Sequence, residues 1–272
     1  MTGRRSRTII LIIASIVILS SIAAAGYLCA GQAVSTDFAS KNLPPSAIHL
    51  FGTDFMGRDM FVRTVSGLSM SIGIGVLTAF VSACLALAVG LAAALLGPAA
   101  DGILSGLIDV VMGIPHMLLL ILISFACGRG FTGVVIGISL THWPSLARLI
   151  RAEVIQLRES PYIRIAGKLG AGKWEIAAVH MLPHLAPQFV TGLILLFPHA
   201  ILHEASITFL GFGLMPEQAA IGIILSESMS QLVMGKWWLA LFPGLCLVAV
   251  VILFQMLGQG ICDMLDPGRV HR

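Results

Sequence analysis

Charge is scarce in this 272-residue chain: Asp, Glu, Lys and Arg make up 11% of it, against 57% hydrophobic residues. A soluble domain of ordinary composition carries roughly 25% charged residues, so a water-soluble globular protein is excluded. The net charge of +3 is small, and nothing in its distribution points to nucleic acid. The five cysteines, Cys29, Cys84, Cys127, Cys246 and Cys262, lack paired ligand spacing and read as small apolar side chains rather than redox or metal groups. No H-E-x-x-H occurs, since His203-Glu204 is followed by Ala-Ser-Ile, and no G-x-S-x-G elbow occurs either. Metalloprotease chemistry is thereby excluded; other serine–base pairings stay open at this level.

What the chain has instead is long apolar runs, with a mean hydropathy of +0.98. Crossing about 30 Å of hydrocarbon at about 1.5 Å per residue takes roughly 20 residues of helix. Six stretches meet that length: 8–28, 69–96, 103–127, 131–149, 185–209 and 237–261. The expected fold is an all-α integral membrane domain over 1–272, because a span in lipid must satisfy its own backbone hydrogen bonds. Arg4, Arg5 and Arg7 precede the first span, Arg148, Arg151, Arg158, Arg164, Lys168 and Lys173 lie near or between the fourth and fifth, and Arg269 and Arg272 follow the last. An even number of spans puts all three groups on one side, which the positive-inside rule makes cytoplasmic along with both termini. The first run resembles a signal peptide, but it exceeds the roughly 7–15 residues of a signal h-region. It is read as a retained helix.

The segment 158–184 interrupts this apolar pattern with a basic, glycine-punctuated sequence. Gly167 to Lys173 satisfies the first part of a Walker A pattern, yet Trp174 stands where a Ser or Thr hydroxyl must meet magnesium, and no strand precedes it. Nucleotide binding by this loop is therefore not expected. A short helix over about 165–178 would present Lys168, Lys173 and Glu175 for polar contact and Leu169 and Trp174 as apolar anchors, with Gly170 and Gly172 permitting close approach of another backbone. The plain alternative is a solvated connection whose basic residues serve topology alone.

Ala166, Gly167 and Gly170, followed after an interval by Leu182 and Pro183, resemble the permease motif of ABC importers: an E-A-A element, a glycine and a later I-x-L-P. Ile165 replaces the motif's acidic residue, Gly167 an alanine and His180 the isoleucine. Two outer segments extend the likeness. Phe51-Gly-Thr-Asp-Phe-Met-Gly-Arg-Asp-Met-Phe-Val-Arg63 and Ser206-Ile-Thr-Phe-Leu-Gly-Phe-Gly213 are similar to signatures of the dipeptide, oligopeptide and nickel permease family. This resemblance implies a type I importer permease fold whose coupling helix uses Ala166, Gly167, Lys168, Leu169, Gly170, Lys173, Trp174, Leu182 and Pro183. It also implies a homologous second permease, two ATP-binding subunits that hold ATP and magnesium, and an extracellular or periplasmic binding protein. The chain would bind no cofactor and would be no enzyme itself. The outer segment 31–66 is expected to carry a capped helix starting near Asp54, with Arg58 and Asp59 solvated or facing the binding protein.

Histidines bear on the cargo. His199 and His203 lie four apart on one helical face late in the fifth span, and the segment Pro-His-Ala-Ile-Leu-His-Glu resembles the two-histidine segment of nickel permeases. Ser139-Leu-Thr-His-Trp143 leans the same way. Neutral imidazole suits nickel, copper or zinc, while hydrogen bonding between helices explains a buried histidine equally well. His116, after Pro115, is a further candidate for the substrate path; no metal ligand is assigned. The expectation is nickel or a metal chelate as cargo, with dipeptides or oligopeptides as the alternative. An ion-driven transporter or structural membrane subunit is the reading from another class.

Overall fold

The computed structural model describes residues 2–265. Arg269 and Arg272, counted above toward the inside charge, lie outside the described residues. The elements run α1 (Thr2–Leu28), α2 (Ala30–Ala33), a 3-10 turn at Phe38–Ser40, α3 (Met60–Leu95), α4 (Pro98–Gly113), α5 (His116–Ala126) and α6 (Gly130–Arg158). They continue through α7 (Pro161–Lys168), α8 (Lys173–Glu175), a π-helical turn at Ile176–Met181, α9 (Leu182–Phe209), α10 (Ile221–Leu232) and α11 (Trp238–Leu265). Among the described residues, five helical runs are long and apolar enough to cross a membrane, or six if α4 and α5 count as one broken span.

The break is sharp: α4 and α5 meet at 98°. Pro115 is its cause, because a proline ring disfavours the α region for the residue before it and supplies no backbone N–H. Ile114 accordingly takes an extended conformation, φ −85° and ψ 136°. The stretch read from sequence as one span over 103–127 is thus two helices with a corner, and His116 opens the second.

α3 and α6 form the centre and pack most extensively on each other, with α9 against both. Small residues set that closeness: a Cβ on Gly90 of α3 would lie 2.8 Å from the Ala147 carbonyl oxygen of α6. Backbones that approach this far gain van der Waals contact, which drives helix association where lipid offers no hydrophobic contrast. The main core joins Ala83, Ala86, Ile150, Val154, Leu185, Ile201 and Ile224. A second cluster of Ile74, Leu120, Val134, Ile138, Ala200 and Ile207 fills the space between α3, α5, α6 and α9.

Pro144 lies inside α6 and removes the N–H that would bond the Leu140 carbonyl. The indole Nε1 of Trp143 donates to that carbonyl instead, at 3.0 Å, which satisfies the oxygen freed by the proline.

The outer segment differs from its sequence reading. No helix starts near Asp54; the N-cap is Asp59, whose carboxylate accepts from the Phe61 and Val62 amides, and the helix it starts is α3 itself. Asp54 instead closes a turn by accepting from the Met56 and Arg58 amides at 2.8 and 2.9 Å. Arg58, expected to be solvated, is buried. The reason is a four-member charge cluster. Arg58 Nε donates to Asp54 at 2.6 Å and its Nη2 to Glu227 at 2.9 Å, while Arg63 Nη1 reaches Asp54 at 3.1 Å and Glu227 at 2.6 Å. Two cations and two anions cancel, so burial is tolerated, and the cap before α3 is clasped to α10.

On the opposite side α4 is tied to α6 by Arg151, which donates to Asp101 at 2.6 Å, and by Arg148, which donates to Asp109. Arg158 donates to the Ala94 carbonyl at the end of α3. These arginines, counted for topology in the sequence, also fasten helix ends together.

Candidate functional site

Two places concentrate unusual chemistry: the turn between α7 and α8, and a histidine cluster among α5, α6 and α9.

The α7–α8 turn is built by its glycines. α7 ends in a Schellman motif, with the Ala171 amide donating to the Ala166 carbonyl and the Gly170 amide to the Gly167 carbonyl. That closure requires a left-handed residue, and Gly170 supplies it at φ +96°. Glu175 reaches back to the Gly172 amide at 3.3 Å and starts α8. The expected single helix over 165–178 is therefore a helix, a tight turn and a second helical start, because Leu-Gly-Ala-Gly cannot continue a helix cheaply. From α8 the chain runs through the π turn into α9, with Ala177 and Met181 buried.

Leu169 and Trp174 stand on this turn 83% and 73% exposed. Lys168, Gly170 and Lys173 are exposed beside them, with Ala166 half-buried and Gly167 exposed at the end of α7. Leu182 and Pro183 are not part of that turn; they lie exposed on the first turn of α9, beyond the π segment. An apolar pair so exposed on a basic turn has nothing among the described residues to cover it.

The histidine cluster comes from three helices. The rings of His116, His142 and His203 lie with centroids 4.5 to 5.0 Å apart, each pair edge-on. One side-chain nitrogen from each falls within 4.8 Å of the others. Pro115 turns the chain so that His116 points in from the start of α5. His142 is carried by the buried face of α6, and His203 by α9. His142 Nδ1 donates to the Ile138 carbonyl at 3.0 Å, and His203 Nδ1 donates to the His199 carbonyl at 2.7 Å. His142 Nε2 lies 3.3 Å from His203 Nδ1. His116 Nε2 is buried and has no hydrogen-bond partner among the described residues, a condition that costs about 1–3 kcal/mol when nothing fills it.

Of the path residues expected from sequence, the structure unites His116 and His203 and leaves out His199. The side chain of His199 is exposed, and only its carbonyl serves the cluster. The shared face implied by the four-residue spacing is thus not used as a pair. His142 was legible only as part of Ser139 to Trp143; its intramembrane position was the available signal, and helix packing decided the rest. Glu204 is fully buried and accepts from the Thr208 hydroxyl at 3.1 Å, away from the rings.

Comparison with known proteins fits this architecture. Residues 85–271 match the family described as binding-protein-dependent transport system inner membrane component. The dipeptide transport system permease protein DppC of Bacillus subtilis (strain 168) is 31% identical over 89% of this chain and 75% of its own length. A peptide transport system permease protein of Brucella suis biovar 1 (strain 1330) is 37% identical over 97% of this chain and 88% of its own. Among solved structures, an inward-facing form of the MetNI methionine ABC transporter overlays with a TM-score of 0.62 at 18% identity, covering 76% of this chain and 98% of that one, a likeness of fold. The nickel branch expected from the histidine segment finds no support in these relatives. The chain belongs to the binding-protein-dependent permeases of ABC importers: it is an all-helical, multi-pass inner-membrane component that works with separate ATP-hydrolysing and substrate-binding partners and is not itself the ATPase.

Proposed function

We propose that this chain, paired with a homologous permease, forms the path by which an ATP-driven complex imports short peptides, and that the α7–α8 turn is where one of the two ATP-binding subunits drives it. The observation that carries the mechanical half is the exposure of Leu169 and Trp174 on a turn whose backbone is fixed by Gly170. Aromatic anchors that enter a partner's pocket supply most of the energy of such contacts. Ala166, Gly167, Lys168 and Lys173 frame the anchors, and Leu182 and Pro183 start the span that would move with them. Because the chain runs from α8 through the π turn into α9, displacement of the turn by closure of the ATP-binding subunits would be delivered to the helix bearing His203.

Peptide as cargo is supported by the names of the relatives, which are dipeptide and peptide permeases. The second reading is nickel or a metal chelate, and one specific observation favours it: the gathering of His116, His142 and His203. Uptake by the reconstituted complex with its binding protein separates the two. ATP-dependent accumulation of a labelled dipeptide without nickel accumulation is the expected result; the reverse would overturn the peptide assignment. ATP-dependent cross-linking of Lys173→Cys to the ATP-binding subunit tests the mechanical half by itself, and its absence would overturn that half.

A further inference from the structure

We infer that His116, His142 and His203 form a binding site for a divalent transition-metal ion of the nickel, cobalt, zinc or copper class. The inference does not depend on peptide being the cargo, because it rests on the geometry of the three rings.

Hydrogen bonds to backbone decide which nitrogens are available. His142 Nδ1 and His203 Nδ1 each carry the proton that they donate to a carbonyl, of Ile138 and His199 respectively. Both rings therefore keep Nε2 as the unprotonated nitrogen. That of His142 already faces His203, whereas the His203 nitrogen nearest it is Nδ1. Ligation by His203 thus takes Nε2 after a turn of the ring, or Nδ1 after release of the His199 carbonyl. A carbonyl bond to one ring nitrogen is the arrangement that fixes the tautomer and orientation of a metal-ligating histidine. The third ring supplies a buried Nε2 with no partner. Because the His203 proton is committed to the nearer His199 oxygen at 2.7 Å, the 3.3 Å approach of His142 Nε2 leaves that acceptor poorly satisfied. His142 Nε2 and His116 Nε2 thus both lack a well-placed donor among the described residues, and a shared cation satisfies both where bonds among the rings do not.

The chemistry of the donors selects the ion. Imidazole nitrogen suits zinc, copper, nickel and iron, whereas magnesium and calcium require oxygen ligands. Metal–nitrogen bonds of about 2.0–2.1 Å would draw the nitrogens closer than their present separations of up to 4.8 Å. Side-chain rotation is the means, and His116 sits on the first turn after the Pro115 corner. With three protein ligands the ion keeps open positions for water or for a ligand arriving with cargo. Those positions make the site exchangeable rather than a closed structural one.

The test uses the purified complete transporter in detergent. Nickel binding is followed by titration calorimetry and cobalt ligation by its visible absorption spectrum, with magnesium as the non-competing ion. One saturable site per copy of this chain and a cobalt spectrum of nitrogen ligation are expected. His142→Ala and His203→Ala should each weaken nickel by at least about 100-fold. His199→Ala, which keeps the carbonyl and removes a side chain outside the cluster, should change it by less than about threefold. His142→Gln guards against loss of folding, since it keeps volume and polarity while removing the imidazole, and it too should lose the cobalt spectrum. Absence of saturable binding in the wild-type complex, or affinity unchanged in His142→Ala and His203→Ala, overturns the inference. Radiolabelled nickel then distinguishes the source: ion released inside vesicles on ATP addition marks cargo, and ion retained by the complex while dipeptide is imported marks a resident metal; both outcomes require the site.

Discussion

The two faces of this permease spend their charges in opposite ways. On the outer side Asp54, Arg58, Arg63 and Glu227 consume one another, leaving a neutral clasp between the cap of α3 and α10. On the inner side the α7–α8 turn leaves Lys168, Lys173, Leu169 and Trp174 uncovered. The clasp is finished within the chain, and the turn, on the proposed function, is finished by a partner. Disruption at the first should therefore register as lost stability, and at the second as lost assembly with stability kept.

The largest effect should come from Asp54→Ala. It removes one anion from two buried guanidinium groups, and breaking a buried pair costs about 3–5 kcal/mol. A marked fall in the thermal unfolding midpoint in detergent is expected, and a midpoint unchanged from wild type would show that the clasp is not what holds the cap. Next in size is Trp174→Ala. Loss of an interface anchor is worth about 2 kcal/mol or more, roughly 30-fold in affinity, measured as weaker capture of the ATP-binding subunits and reduced substrate-stimulated ATPase. The same variant should unfold within about 0.5 kcal/mol of wild type, as an exposed position allows; destabilisation without loss of capture would break the contrast between the faces.

Gly170→Ala sharpens it further. Forcing an L-residue into the left-handed region costs about 1–2 kcal/mol, borne by the turn and not by the spans. Coupling between ATP hydrolysis and uptake should fall while helical content by circular dichroism stays constant. The smallest effect belongs to Arg151→Ala on the inner side. Its pair with Asp101 is part-exposed at 28% and 31%, and such pairs are worth about 0–1 kcal/mol. A midpoint shift as large as that of Asp54→Ala would show that the inner side has a clasp of its own.

How much of this was readable beforehand varies with the range of the cause. The glycine at 170 and the anchors at 169 and 174 could be picked out because a turn depends on neighbours along the chain. The expected helix over 165–178 failed at the same place for want of one consideration: Gly170 and Gly172 with Ala171 between them end a helix more readily than they soften it. Pro115 signalled a break, though not that α4 and α5 would meet at 98°. Arg58 read as solvated because its second acceptor, Glu227, lies far along the sequence and carries no local mark. His199 and His203 share a spacing that suggests a pair, but rotation of α9 against α5 and α6 turned only one ring inward.

The amino-acid order alone settled that this chain lies in a membrane as helices, since hydropathy and the need to satisfy backbone groups in lipid act over single segments of about 20 residues. It also marked 158–184 as the basic, glycine-punctuated segment between two spans. Only the tertiary structure brought His142 to His116 and His203 and joined Glu227 to the arginines of the cap. Those meetings depend on how small residues such as Gly90 let α3, α6 and α9 close on each other, and packing between distant helices leaves no periodic trace in any one of them.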